Sequence, residues 1–146
     1  MKKIIIAGGS GFLGNGLINY FDNADCQVFV LSRKHTVDRR NIHFVKWNGR
    51  DLGMWTDVLS DADALINLSG RSVDCRYNAR NREEIYESRL KSTYALGKAI
   101  QQCENPPKVW INSSSATIYR HSLDKEMDES NGEIGTGFSV DVCKKW

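Results

Sequence analysis

Residues 8 to 14 read Gly8-Gly9-Ser10-Gly11-Phe12-Leu13-Gly14, a G-x-x-G-x-x-G run directly behind the apolar stretch Ile4-Ile5-Ile6-Ala7. Such a run suits the holding of phosphate. Glycines permit a tight turn and let backbone N–H groups approach an anion, while a helix N-terminus adds donors and a favourable dipole. A glycine pattern alone is weak evidence, since an ordinary strand-to-helix turn uses similar residues. The strand before it and the helix after it are the context a dinucleotide fingerprint requires. Gly8, Ser10, Gly11, Phe12, Leu13 and Gly14 are therefore candidate cofactor contacts.

The end of the second apolar run bears on which cofactor. A site for NAD usually carries Asp or Glu there, about 20 residues on, hydrogen-bonded to the ribose 2′-OH. This chain has Leu31-Ser32-Arg33-Lys34. The Ser32 hydroxyl and the two cations, Arg33 in particular, suit a 2′-phosphate, so NADP(H) is favoured over NAD(H). The alternative is a solvated basic loop. Further along, Arg71, Arg76, Arg80, Arg82 and Arg89 cluster near Asn67-Leu68-Ser69-Gly70. Cations beside a cofactor crevice can bind a substrate phosphate or carboxylate, or the cofactor's own phosphates, and a solvated helix start is the plainer reading. Arg76 is a candidate for substrate and Arg89 for cofactor, together with Leu68, Ser69 and Gly70. Trp47 and Asn48 either flank an adenine or, for Trp47, belong to the core.

Apolar runs alternate with longer segments of helical character, as in a parallel α/β sheet. Strands are expected at 3–7, 27–31, 42–47, 64–68 and 109–112. The helix behind the glycine loop is expected to turn Leu13, Leu17, Tyr20 and Phe21 to one side, and a short helix is expected at 54–59. The longest helical pattern, 82–102, carries Ile85, Leu90, Tyr94 and Ile100 and ends before Pro106-Pro107. Right-handed crossovers then give a doubly wound sheet, a Rossmann-type α/β fold with its ligand at the carboxyl ends of the strands. Residues 124–137 (DKEMDESNGEIGTG) are expected as a mobile surface loop that closes over substrate.

With 146 residues the chain is long enough for one domain with a proper core. Its 20 Lys+Arg against 18 Asp+Glu give no electrostatic case for nucleic acid or an anionic membrane. The longest apolar run is far too short to span a bilayer, and no signal-peptide pattern precedes it. Cys26, Cys75, Cys103 and Cys143 lie far apart with no C-x-x-C pair, which suits reduced thiols in a cytoplasmic protein. His35, His43 and His121 are scattered, so no metal site is expected.

The glycine loop, Asn67-Leu68-Ser69-Gly70 and Ser113-Ser114-Ser115-Ala116-Thr117-Ile118-Tyr119 together resemble the extended short-chain dehydrogenase/reductases, the group of sugar-nucleotide epimerases and dehydratases. Cys75-Arg76-Tyr77, Glu87-Ser88-Arg89-Leu90-Lys91-Ser92-Thr93 and residues 137–143 (GFSVDVC) narrow the resemblance to an atypical branch whose members carry the labels "epimerase family" and "cell-division inhibitor". The resemblance covers the whole chain.

It implies a Ser or Thr after the fifth strand that orients the substrate oxygen, and a Tyr-x-x-x-Lys pair. The Tyr serves as acid/base and the Lys lowers its pKa. The chemistry needs such a pair, because hydride transfer at a carbinol carbon must be accompanied by proton transfer at its oxygen. A tyrosine of pKa near 10 is a poor base at neutral pH without a cation. Ser115 takes the hydroxyl position, but the Tyr and Lys positions fall on Ser139 and Cys143. Tyr94 and Lys98 have the spacing but precede the fifth strand. Tyr119 is better placed, close behind Ser115, although Leu123 follows where a lysine would be needed. Ser115 and Tyr119 are the catalytic candidates.

The resemblance further implies a longer protein with a C-terminal substrate region, so residues 1–146 are expected to be a truncated NAD(P)-binding domain. A homodimer through the long helix is possible on the same ground. The reading is an NADP(H)-binding oxidoreductase or epimerase acting on a small-molecule substrate such as a nucleotide sugar. The alternative is a non-catalytic NADP-binding regulatory or redox-sensing module.

Overall fold

A computed structural model describes residues 1–22, 25–34 and 37–146. The described chain divides into two compact units, Met1–Ser113 and Ser114–Trp146.

In the first unit, β1 (Lys2–Ala7), β2 (Cys26–Ser32), β3 (Ile42–Lys46), β4 (Ala64–Asn67) and β5 (Val109–Asn112) form one sheet in the order β3-β2-β1-β4-β5. Every pairing is parallel. Successive residues of β1 point to opposite faces, and both faces are covered. Ile5 and Ala7 join a core with Leu31, Trp55, Leu59 and Leu65, while Ile4 and Ile6 join another with Val28, Val30 and Ile42. A strand buried on both sides must be apolar at every position, which is why β1 reads as a continuous run rather than an alternation.

The helices α1 (Phe12–Phe21) and α2 (Ala79–Gln102) cover opposite faces. Ile18 of α1 packs in the Ile4/Ile6 core, and Ala95, Leu96 and Ala99 of α2 pack in the Ile5/Leu65 core. The sheet is therefore doubly wound, and its strand order reverses direction at β1 and β4. That switch point opens a crevice at the carboxyl ends of the strands.

The structure corrects some details. The buried side of α1 runs through Gly14 and Ile18, with Leu17 and Phe21 partly covered, whereas Leu13 and Tyr20 are exposed. A stripe at positions 14, 17, 18 and 21 is one helical face, and its first member is a glycine that carries no apolar signal. Tyr94 likewise points outward, and the small residues Ser92, Ala95 and Ala99 are buried instead. The segment Met54–Leu59 is a 3-10 helix, and α2 starts at Ala79, with the Asn78 side chain accepting from the Asn81 N–H at 2.8 Å.

The second unit holds a 3-10 turn at Ala116–Ile118, a connecting segment, and α3 (Phe138–Lys145). The connection carries more internal bonding than a plain solvated loop. The Arg120 N–H donates to the Glu133 carbonyl at 2.8 Å, and the Gly135 N–H to that of Ile118 at 2.9 Å. The Arg120 guanidinium pairs with Glu133 at 2.5 Å and Asp124 at 3.2 Å, and Lys125 pairs with Glu133 at 2.6 Å.

Candidate functional site

At the switch point lies a cleft of about 500 Å³, within the usual range for small-molecule sites. It brings together Gly8, Ser10 and Gly11 from the glycine loop, Ser32 and Arg33 from the end of β2, and Leu68, Ser69 and Gly70 from the end of β4. These eight are sequence candidates. Phe12, Leu13 and Gly14 do not line the cleft, and the Phe12 and Leu13 side chains are exposed.

The glycines act in different ways. Gly8 has φ +75, and a Cβ there would stand 2.9 Å from the Ser69 backbone, so the loop can lie directly against the end of β4. A Cβ on Gly14 would stand 2.3 Å from the Gly9 carbonyl oxygen, which fixes how closely α1 approaches the loop. Gly11 is the N-cap of α1, with no side-chain cap bond and no acidic residue in the first turn. The helix therefore offers N–H groups that no side chain of its own satisfies, where an anion is favoured.

Asn67, fully buried, holds the far wall. Its amide nitrogen donates to Asn112 Oδ1 at 2.7 Å and Thr93 Oγ1 at 3.1 Å, and its Oδ1 accepts from the Ser69 N–H at 3.0 Å. One side chain thus ties β4 to β5, α2 and the Ser69 turn. Arg89 is turned beneath that turn rather than into the cleft. Its Nη1 donates to the carbonyls of Arg71 at 3.1 Å and Ile85 at 3.2 Å, and a Cβ on Gly70 would meet its Cζ at 3.0 Å. Arg76 is exposed and does not line the cleft.

Glu84, Glu87, Ser88 and Ser92 of α2, and Gly49 and Arg50 behind β3, also line the cleft, although none of them was a site candidate from the sequence. Residues 84, 88 and 92 are spaced to share one face of α2, but nothing in the sequence says what that face meets. The two carboxylates are compensated. Glu84 is held below the usual carboxylate range by its bond from Arg80 at 2.9 Å, and Arg71 also pairs with it. Glu87 is held down by Lys91 at 2.6 Å. Trp47 is 4% exposed and packs on Trp55 with ring centroids 5.3 Å apart, so it belongs to the core while also lining the cleft. Asn48 turns its Oδ1 to the N–H groups of Arg50 at 2.9 Å and Asp51 at 3.0 Å. Among the described residues, Trp47 Nε1 and Ser69 Oγ are buried without a hydrogen-bond partner. Uncapped helix donors, closely approached glycine backbone and unmatched polar atoms on lining residues fit a dinucleotide with a pyrophosphate centre.

In the second unit, Ser115 caps the Ala116–Ile118 turn. Its Oγ accepts from the Thr117 N–H at 3.3 Å and lies 2.9 Å from Thr117 Oγ1. Tyr119 is half-buried and bridges to Ile134, its ring over Gly132, where a Cβ would stand 2.3 Å from Cε1. Ser139 and Cys143 stand four residues apart on α3. Cys143 Sγ lies 3.9 Å from Thr117 Oγ1 and 4.0 Å from the Ser115 carbonyl. Among the described residues no group of three or more His, Cys, Asp or Glu can hold a metal, and no helix is long and apolar enough to cross a membrane. His35 lies outside the described residues.

The sequence pattern of the NAD dependent epimerase/dehydratase family matches residues 4–138. An epimerase family protein of Staphylococcus haemolyticus is 30% identical over 100% of this chain and 48% of its own length. The crystal structure of human epimerase family protein SDR39U1 with NADPH superposes with a TM-score of 0.76 at 26% identity, covering 99% of this chain and 47% of that one. A nucleoside-diphosphate sugar epimerase from Corynebacterium glutamicum gives a TM-score of 0.75 at 26% identity, over 99% of this chain and 29% of that one. The chain thus spans about half the length of the curated relatives it matches.

Proposed function

The chain belongs to the NAD dependent epimerase/dehydratase family, and we propose that its glycine-loop cleft binds NADP(H) in preference to NAD(H). The observation that carries the preference is the end of β2. Ser32 and Arg33 line the cleft where a site for NAD usually has a carboxylate, and among the described residues no carboxylate pairs with Arg33. A guanidinium can make charge-assisted bonds to a 2′-phosphate, which NAD(H) lacks. The α1 N-terminus would hold the pyrophosphate, and the bound nicotinamide would supply or accept the hydride.

For the whole protein, the proposed activity is oxidoreductase or epimerase chemistry on a nucleotide sugar, with Ser115 orienting the reacting oxygen and Tyr119 moving its proton. A homodimer through α2 belongs to the same proposal. The second reading is a non-catalytic NADP-binding module that regulates a partner or senses redox state. It is favoured by Ser139 and Cys143, which stand where the resemblance places Tyr and Lys.

Two experiments test these readings. In a nicotinamide-fluorescence titration, this chain should bind NADPH more tightly than NADH, and Arg33→Ala should remove most of that difference. Equal binding of both cofactors would refute the preference. In the full-length protein, turnover of any nucleotide sugar refutes the non-catalytic reading, and tight cofactor binding without turnover across a broad carbonyl panel refutes the enzyme.

A further inference from the structure

We propose that Arg50, from the turn behind β3, is a second cation reading the 2′-phosphate and so a determinant of cofactor choice alongside Arg33. The inference rests on the NADP(H) reading above. β2 and β3 end together: Ser32 pairs with Lys46, and the Trp47 N–H donates to the Ser32 carbonyl at 2.9 Å. The two chain segments therefore leave the sheet side by side, and Ser32, Arg33 and Arg50 all line the cleft.

The turn that carries Arg50 is built rather than loose. Asn48 Oδ1 accepts from the N–H groups of Arg50 and Asp51, Asn48 Nδ2 donates to Asp51 Oδ2 at 2.8 Å, and Gly49 takes φ +77. The bond to Arg50 uses its backbone, so the guanidinium is left to a ligand.

Charge pairing separates the cleft's three arginines. Arg71 is engaged by Glu84 and by Asn81 Oδ1 at 2.9 Å. Among the described residues no carboxylate stands within ion-pair distance of Arg33 or Arg50. Glu87, which also lines the cleft, feels the charge of Arg50 only weakly and has Lys91 as its bonded partner. Two uncompensated guanidiniums and the Ser32 hydroxyl at one end of a cleft match a phosphate monoester carrying close to two negative charges. A lone ribose hydroxyl would not call for them.

The test titrates wild type, Arg33→Ala, Arg50→Ala and Arg50→Lys with NADPH and with NADH. Because the Asn48 bond goes to the backbone, these substitutions keep the turn, and Arg50→Lys keeps the charge. NADPH binding should weaken roughly tenfold or more in Arg50→Ala, as for loss of one charge-assisted bond. Arg50→Lys should recover part of it, and NADH binding should be unchanged in both. If wild type prefers NADPH and only Arg33→Ala reduces that preference, the role of Arg50 is refuted while the cofactor reading stands. An equal loss for both cofactors in Arg50→Ala also refutes it. Failure of wild type to prefer NADPH sinks both.

Discussion

Gly14→Ala places a methyl group 2.3 Å from the Gly9 carbonyl oxygen and 2.4 Å from Gly9 Cα. Ordinary van der Waals contact would need at least about 1 Å more, and the obstacle is backbone rather than a flexible side-chain tip. Two effects oppose each other. Alanine is better than glycine in a helix interior by about 1 kcal/mol. Overpacking a close contact typically costs about 1–3 kcal/mol, and sometimes more. Against rigid backbone the clash falls in the upper part of that range and wins, with an expected net loss of up to about 2 kcal/mol. Gly16 supplies the internal control, because it lies on the same helix, is exposed, and has nothing within 4 Å of its added Cβ. Gly16→Ala should gain up to about 1 kcal/mol from propensity alone. Urea unfolding followed by circular dichroism reads both. The substituted loop must also move α1 away from Gly9, so NADPH binding should fall in Gly14→Ala and hold in Gly16→Ala. If the two variants shift the midpoint alike, the close packing of α1 on the loop is not what holds the site.

Asn67→Ala should destabilise the first unit by about 2 kcal/mol or more, since it strands the buried Ser69 N–H and removes two donors. Faster hydrogen exchange at the Ser69 amide would localise the effect, and unchanged exchange there would argue against it. In the second unit, Glu133 is held from 4.5 down to about 2 by Arg120 first and Lys125 second. A depressed carboxyl stabilises fully above its ordinary value, so this contribution is lost as pH falls from 4.5 through about 2. Carbon-detected NMR titration should find Glu133 well below 4.5, and an ordinary titration would mean that the Arg120 cluster does not hold in solution.

Much of the fold was legible because its signals are local. The β1 run, the glycine loop and the second strand's basic end are contiguous stretches, and their order alone implies parallel pairing and a ligand at the switch point. Eight of the candidate cofactor residues meet in one cleft for that reason. What was missed depends on tertiary neighbours. Arg50 lies in a turn of Asn, Gly and Arg that reads as plain solvent-facing loop until the Ser32–Trp47 bond places it beside β2. Arg89 sits in a motif that suggested cofactor contact, yet its guanidinium faces two carbonyls beneath Gly70, a placement no spacing rule expresses. In α1, a periodicity count weights Leu13 and Tyr20, but the close approach at Gly14 sets the rotation of the helix. Tyr94 and Lys98 have the spacing of a catalytic pair, but Tyr94 faces outward on a helix whose buried face runs through Ile85, Ser92, Ala95, Leu96 and Ala99.

The most direct test of the central claim is an amide-resolved NMR titration of this chain with NADPH. Binding as argued should perturb Gly8 to Gly11, Ser32, Arg33, Arg50 and Ser69 to Gly70 first, while Lys2, Tyr20 and Asp25 at the opposite end of the strands stay unshifted. Perturbations concentrated at that opposite end, or none at saturating cofactor, would contradict the assignment of the glycine-loop cleft as the dinucleotide site.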